Sequence, residues 1–187
     1  MTTTDLNDQL LPGERVVWSG IPGQGLLLTG ADALMIPFSL VWCGFAIFWE
    51  TSVLSTPAPF FFRLFGIPFV LIGLYVVIGR FLLDAWVRRG MQYAVTNKRI
   101  LISRTGPFAK LTAVSLDNLP EATLTERGNG RGTIRFGQPA QFWTRSGGYT
   151  SWTPSLDSTP QFLNIEDARS VFNQVQSQSR SVVRSGT

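Results

Sequence analysis

The chain has 187 residues, of which 44% are hydrophobic and only 15% charged, with a net charge of +4. It contains no histidine and a single cysteine, Cys43. That excludes an intramolecular disulfide and a thiolate zinc site, and it removes the commonest general base and metal ligand.

The first segment, 1–30, lacks a basic n-region, and the first long apolar run starts too late for a usual signal peptide, so insertion without cleavage is expected. Two apolar stretches then follow, Ala33–Trp49 and Leu64–Leu83, separated by Glu50–Arg63. The first carries no charge and the second only Arg80. Each approaches the roughly 20 residues that a helix needs to cross a hydrocarbon core about 30 Å thick. Helices buried in a soluble core usually keep a polar stripe, whereas these are apolar around most of their circumference. The pattern predicts a transmembrane hairpin with spans at about 33–53 and 64–84, within a segment 31–87. Trp49 and Trp86 fall where an interfacial aromatic belt is expected.

Small residues predict how the two helices meet. Ser39, Cys43 and Ala46 recur at i, i+4 and i+7, and Gly66 and Gly73 share a face of the second helix. Asp32 is the expected cap of the first helix, which would put Pro37 in its first turn. Arg80 and Asp84, four apart, are expected to pair. Arg80, Arg88, Arg89, Lys98 and Arg99 lie on or just after the second span, while the connecting loop offers only Arg63. By the positive-inside rule both termini face the cytoplasm, giving a multi-pass protein of the inner (cytoplasmic) membrane.

After Arg89 the hydrophobic pattern changes from helical to alternating. Met91–Thr96 and Arg99–Ser103 read as strands joined by the turn Thr96-Asn97-Lys98, and Leu111–Leu116, Ala122–Thr125 and Gly132–Phe136 follow. Arg15–Ser19 is a candidate extra strand. The Gly-rich string Gly128–Gly132 lacks the Gly-Lys-Ser/Thr ending of a phosphate loop and reads as a turn. A last helix is expected with Asn164 as its cap, Asp167 at the third helical position, and Ala168, Val171, Phe172 and Val175 as its apolar stripe. The whole is α+β, with a cytoplasmic domain at 88–176 and a polar, Ser-rich disordered tail at 177–187.

Several short motifs, in order along the chain, carry a resemblance. They are Leu11-Pro12-Gly13-Glu14 with Val17-Trp18-Ser19-Gly20-Ile21-Pro22, then Pro37-Phe38-Ser39-Leu40, Gly73-Leu74-Tyr75 and Gly79-Arg80-Phe81. Tyr93-Ala94-Val95-Thr96-Asn97-Lys98-Arg99-Ile100-Leu101 and Gly132-Thr133-Ile134-Arg135-Phe136-Gly137 complete the set. Together they resemble the bacterial membrane-anchored pleckstrin-homology-like (PH-like) proteins over about residues 10–176. The resemblance implies a curved, seven-stranded antiparallel β-barrel or sandwich capped by a C-terminal helix. It implies no common activity.

No catalytic, cofactor-binding or metal-ligating residue is expected. Two non-enzymatic readings remain. The favoured one is an interaction module that binds a membrane or cytosolic protein. Its contacts would come from the aromatic-rich segment 138–161, with Phe142, Trp143, Arg145 and Trp152, since long irregular loops tend to be functional. The alternative is anionic-lipid recognition by Lys98, Arg99 and Arg104 around the first hairpin. The expected partners are the lipid bilayer and a protein, with homo-oligomerisation left open and no nucleic acid.

Overall fold

The computed structural model describes residues 9–57, 59–138 and 153–185. Phe142, Trp143, Arg145 and Trp152 lie outside the described residues. The described chain divides into two compact units. One runs from Leu26 to Leu83, and the other joins the residues up to Gly25 with those from Asp84 onward.

In the first unit, α1 (Asp32–Leu54) packs against a second helical segment. That segment comprises α2 (Phe60–Leu74), a π-turn over Tyr75–Gly79, and the start of α3 (Arg80–Arg89). Two helices are therefore long and apolar enough to span a bilayer, Asp32–Leu54 and Phe60–Arg89. Side chains such as Leu34, Val41, Phe48, Phe61 and Leu71 stand exposed around them. The buried positions of α1 include Ser39, Cys43 and Ala46, and those of α2 are Gly66 and Gly73, the stripes expected from the sequence. A Cβ at Gly73 would sit 3.1 Å from Cys43, so the absence of a side chain sets the closest approach of the helices.

Two local expectations are corrected here. Asp32 does not cap α1: Ala31 occupies the cap position with no side-chain bond, and the Asp32 carboxylate instead accepts from Thr29 N–H at 2.6 Å and Thr29 Oγ1 at 2.8 Å. Pro37 consequently lies inside the helix. Arg80 does not pair with Asp84. Its Nη1 lies 2.6 Å from Asp32 Oδ1, its Nε donates to Val76 O at 2.8 Å, and its guanidinium stacks 4.2 Å from the Phe81 ring centroid. Both partners are buried, and between apolar helices the cost of removing a charge from water is offset by an opposite charge in contact with it, which the long-range pair supplies.

Among the described residues the second unit contains seven strands. β1 (Val16–Gly20), β2 (Met91–Thr96), β3 (Arg99–Arg104) and β4 (Lys110–Ser115) form an antiparallel sheet in that order. β5 (Ala122–Glu126), β6 (Gly132–Phe136) and β7 (Gln161–Ile165) form a second antiparallel sheet. The two sheets are not hydrogen-bonded into one closed barrel. β1 pairs with β2 through Gly20↔Tyr93 and Trp18↔Val95, so a strand that precedes the apolar hairpin completes a sheet that follows it.

Strands β2 and β3 are buried along nearly their whole length. On one face Phe162 meets Tyr93 at 4.7 Å, Phe136 at 5.2 Å and Trp18 at 5.4 Å between ring centroids. On the other, Leu10 packs over Ala94 and Leu101. Each fully buried large side chain such as Ile100, Leu101 or Phe162 contributes about 1.5–3 kcal/mol.

The last helix, α4 (Ala168–Ser185), lays Ala168, Val171 and Val175 into the core. Gly132 is required beneath it, since a Cβ there would come within 2.8 Å of both Ala168 Cβ and Thr125 O. Asn164 is not its cap. It belongs to β7 with φ +48°, Asp167 follows at φ +47°, and the helix starts only at Ala168. Two left-handed residues turn the chain sharply from strand to helix, a conformation that Asn and Asp tolerate better than most. The helix also continues through Ser185, where a disordered tail is expected from residue 177. Ser179 Oγ donates to Leu116 O at 2.9 Å and ties this polar stretch to the sheet unit.

Candidate functional site

The sequence directs attention to the β2–β3 turn, and there Arg99 faces inward while Lys98 stays exposed. Glu14 is only 7% exposed. Its carboxylate receives Arg99 Nε at 3.0 Å and Nη2 at 3.1 Å, a bidentate pair, and also Leu11 N–H at 2.6 Å. The Thr96 hydroxyl lies 2.7 Å from Glu14 Oε1 and receives the Lys98 and Arg99 amides at 3.1 and 2.9 Å. Burial by itself would raise the Glu14 pKa, but the Arg99 guanidinium, the Leu11 amide and the Thr96 hydroxyl hold it below the usual carboxylate value. Arg99 Nη2 also donates to Gln9 O at 2.8 Å, and Lys98 Nζ to Pro12 O at 3.2 Å. The motif Leu11-Pro12-Gly13-Glu14 therefore acts as a strap that locks the turn Thr96–Arg99.

Arg104 lies at the opposite end of the sheet. It donates from Nε to Phe108 O at 2.5 Å and from Nη1 to Ser155 O at 2.8 Å, and burial lowers its pKa. Lys98 and Arg99 thus share one turn, whereas Arg104 is separated from them by the length of β3, about 17 Å at 3.3–3.4 Å per residue. The three cations form no common pocket.

A second ion-pair node lies where the chain enters β2. Arg88, 1% exposed, holds Asp84 through Nε at 2.7 Å and donates to the carbonyls of Gly23 and Gly25. The other Asp84 oxygen accepts Ser155 N–H at 2.9 Å. Arg88 therefore gathers the segment that leaves β1 and the helix that leads into β2. Tyr93 is buried beside it. Leu163 N–H donates to its hydroxyl oxygen at 3.2 Å, and burial pushes its pKa well up, so it stays neutral.

A cleft of about 570 Å³ in this unit is lined by Trp18, Ile21, Gly23, Arg131, Asn164 and Glu166 among others. Ile21 is 64% exposed, an apolar side chain held open to solvent. Gly23 N–H donates to Asn164 O at 3.1 Å, and a Cβ at Gly23 would come within 2.6 Å of that oxygen. Arg131 pairs with Glu166 at the rim. Sequence reasoning did not select this cleft, although Ile21 and Pro22 fall inside a motif that carries the resemblance. Arg131 and Asn164 join them in one lining only through the tertiary contact of Gly23 N–H with Asn164 O. Among the described residues no three His, Cys, Asp or Glu side chains are grouped to hold a metal ion.

A family model described as "Bacterial PH domain" matches residues 33–179 of the chain. No curated protein and no solved structure matches it.

Proposed function

Because the chain belongs to the bacterial PH domain family, we propose that it is a membrane-anchored, non-enzymatic interaction module that binds a protein partner at the cytoplasmic face of the inner membrane. PH-like domains serve generally as interaction modules, and two apolar helices of spanning length supply an anchor. The cytoplasmic placement of both termini rests on the basic residues that follow the second span. Labelling of a cysteine at Ser55 from the cytoplasmic side alone would overturn it.

The observation that carries the protein-partner reading is the contrast between the cations and the cleft. Arg99 and Arg104 are engaged by the domain's own carboxylate and carbonyls, and of the three cations only Lys98 stays exposed, so the headgroup site that the sequence suggested has little left to offer. The cleft instead joins an exposed Ile21 to backbone and polar groups, the mixture of apolar anchor and fixed polar rim by which protein segments are recognised.

Site-specific photocrosslinking in native membranes tests it. A photoreactive residue at Ile21 should give discrete protein adducts, and one at exposed Ser115 should not. Lipid adducts alone from Ile21, or equal protein adducts from both sites, would sink the reading. In parallel, Lys98→Ala with Arg99→Ala should leave binding to acidic vesicles unchanged.

A further inference from the structure

We propose that the β3–β4 turn, Thr105–Ala109, is a peripheral bilayer contact that seats the sheet unit on an anionic membrane surface through Phe108, with Trp86, Arg89 and Lys110 beside it. This rests on the membrane anchoring in the reading above and not on its protein partner.

The turn is fastened beside the end of the second apolar helix. Trp86 and Arg89 belong to the second apolar helix of spanning length, Phe60–Arg89. Gly90 then joins that helix to β2. Thr105 N–H donates to Gly90 O at 2.9 Å and Thr105 Oγ1 donates to the same oxygen at 3.0 Å, while Met91 pairs with Arg104. The β3–β4 turn is therefore fastened to the residue that follows the helix, whereas the β2–β3 turn lies at the far end of the same strands.

The turn is built to present its tip. Ala109 N–H closes it onto Gly106 O at 3.0 Å, Gly106 takes φ +91°, and Arg104 Nε fixes the Phe108 carbonyl. Phe108 is left 41% exposed and Trp86 53% exposed. Between them runs a groove of about 310 Å³ whose lining includes Arg89 and no acidic residue. Lys110 is exposed on the next strand. Beside it a smaller cavity of about 30 Å³ is lined by Arg104, Lys110 and the buried Ser155, whose hydroxyl has no partner among the described residues. Asp157 is the one carboxylate lining that cavity. Aromatic rings flanked by cations match the headgroup region, where rings bury their faces and cations meet anionic phosphates.

The test uses the full chain in a Cys43→Ala background, reconstituted in vesicles of mixed phosphatidylcholine and phosphatidylglycerol. Phe108→Cys carries an environment-sensitive fluorophore, and Pro107→Cys serves as a second reporter that leaves Phe108 in place. Doxyl-labelled lipid should quench both probes several-fold more than a probe at Asn97→Cys on the β2–β3 turn. Quenching should fall when phosphatidylglycerol is omitted or when Arg89→Gln and Lys110→Gln are introduced. Water-like emission at Pro107 and Phe108, equal to that at Asn97, would overturn the proposal. So would quenching indifferent to lipid charge. Probes shielded only in native membranes would assign the face to a protein and overturn the lipid assignment, and each of these results leaves the Ile21 crosslinking test unaffected.

Discussion

At the β2–β3 turn the four-stranded sheet turns Arg99 inward onto Glu14, whereas at the β3–β4 turn it holds Phe108 and Lys110 toward solvent. Both turns are short, and both combine basic residues, within the first and flanking the second, with a tight hydrogen-bonded reversal. They differ in what long-range segment meets them. The N-terminal strap supplies a carboxylate to the first turn, and the end of the apolar helix, through Gly90, fastens the second. A cation near a turn is therefore informative about ligands only after its own internal partners are known.

The largest effect is expected at the end of the sheet where the helix leads into β2. Arg88→Met removes the partner of Asp84 and the donor to two glycine carbonyls in a buried setting, and should destabilise the sheet unit by about 3–5 kcal/mol. Denaturant titration of the full chain in detergent measures this, and a loss below about 1 kcal/mol would show that water replaces the guanidinium there.

At the opposite end Glu14→Ala should cost less, about 1.5–3 kcal/mol, because Arg99 remains partly exposed and can be rehydrated. The same residue sets a pH dependence. Its folded pKa lies below the ordinary value of 4.5, so its contribution is complete above that value and is lost as pH falls from there through the folded pKa. The acid limb of a stability profile should flatten in Glu14→Gln. An unchanged limb would mean that the strap does not hold the turn.

The smallest effect belongs to Lys98→Ala. Its ammonium reaches only Pro12 O at 3.2 Å from an exposed position, so stability should shift by less than about 0.5 kcal/mol. A larger loss would move Lys98 from the surface into the strap and blur the distinction between the two ends.

Much of the architecture was legible from spacing. The i, i+4, i+7 stripe of Ser39, Cys43 and Ala46 and the pair Gly66 and Gly73 named the buried faces of the two apolar helices, because side chains on a helix recur with its own period. The same holds for strands: Ile134 and Phe136 alternate into the core as period-two spacing requires. The misreadings share one cause. Local geometry alone matches Asp84 to Arg80 and Asn164 to the helix start. In the folded chain Arg80 takes Asp32 across the hairpin, and Asn164 completes β7.

What the sequence determined by itself is therefore the set of elements and their buried faces: two apolar helices, short alternating strands and a final amphipathic helix. These follow from the local periodicity of apolar residues, which every packed arrangement must respect. Only the tertiary structure decided which charges are spent inside the protein and which surfaces stay open. Glu14 and Arg99 stand 85 positions apart, and the whole hairpin lies between them. Their pairing depends on β1 returning to the edge of β2, a non-local contact for which no spacing rule exists. The cleft at Ile21 and the exposed tip at Phe108 likewise arise from strands that meet only after the chain has folded.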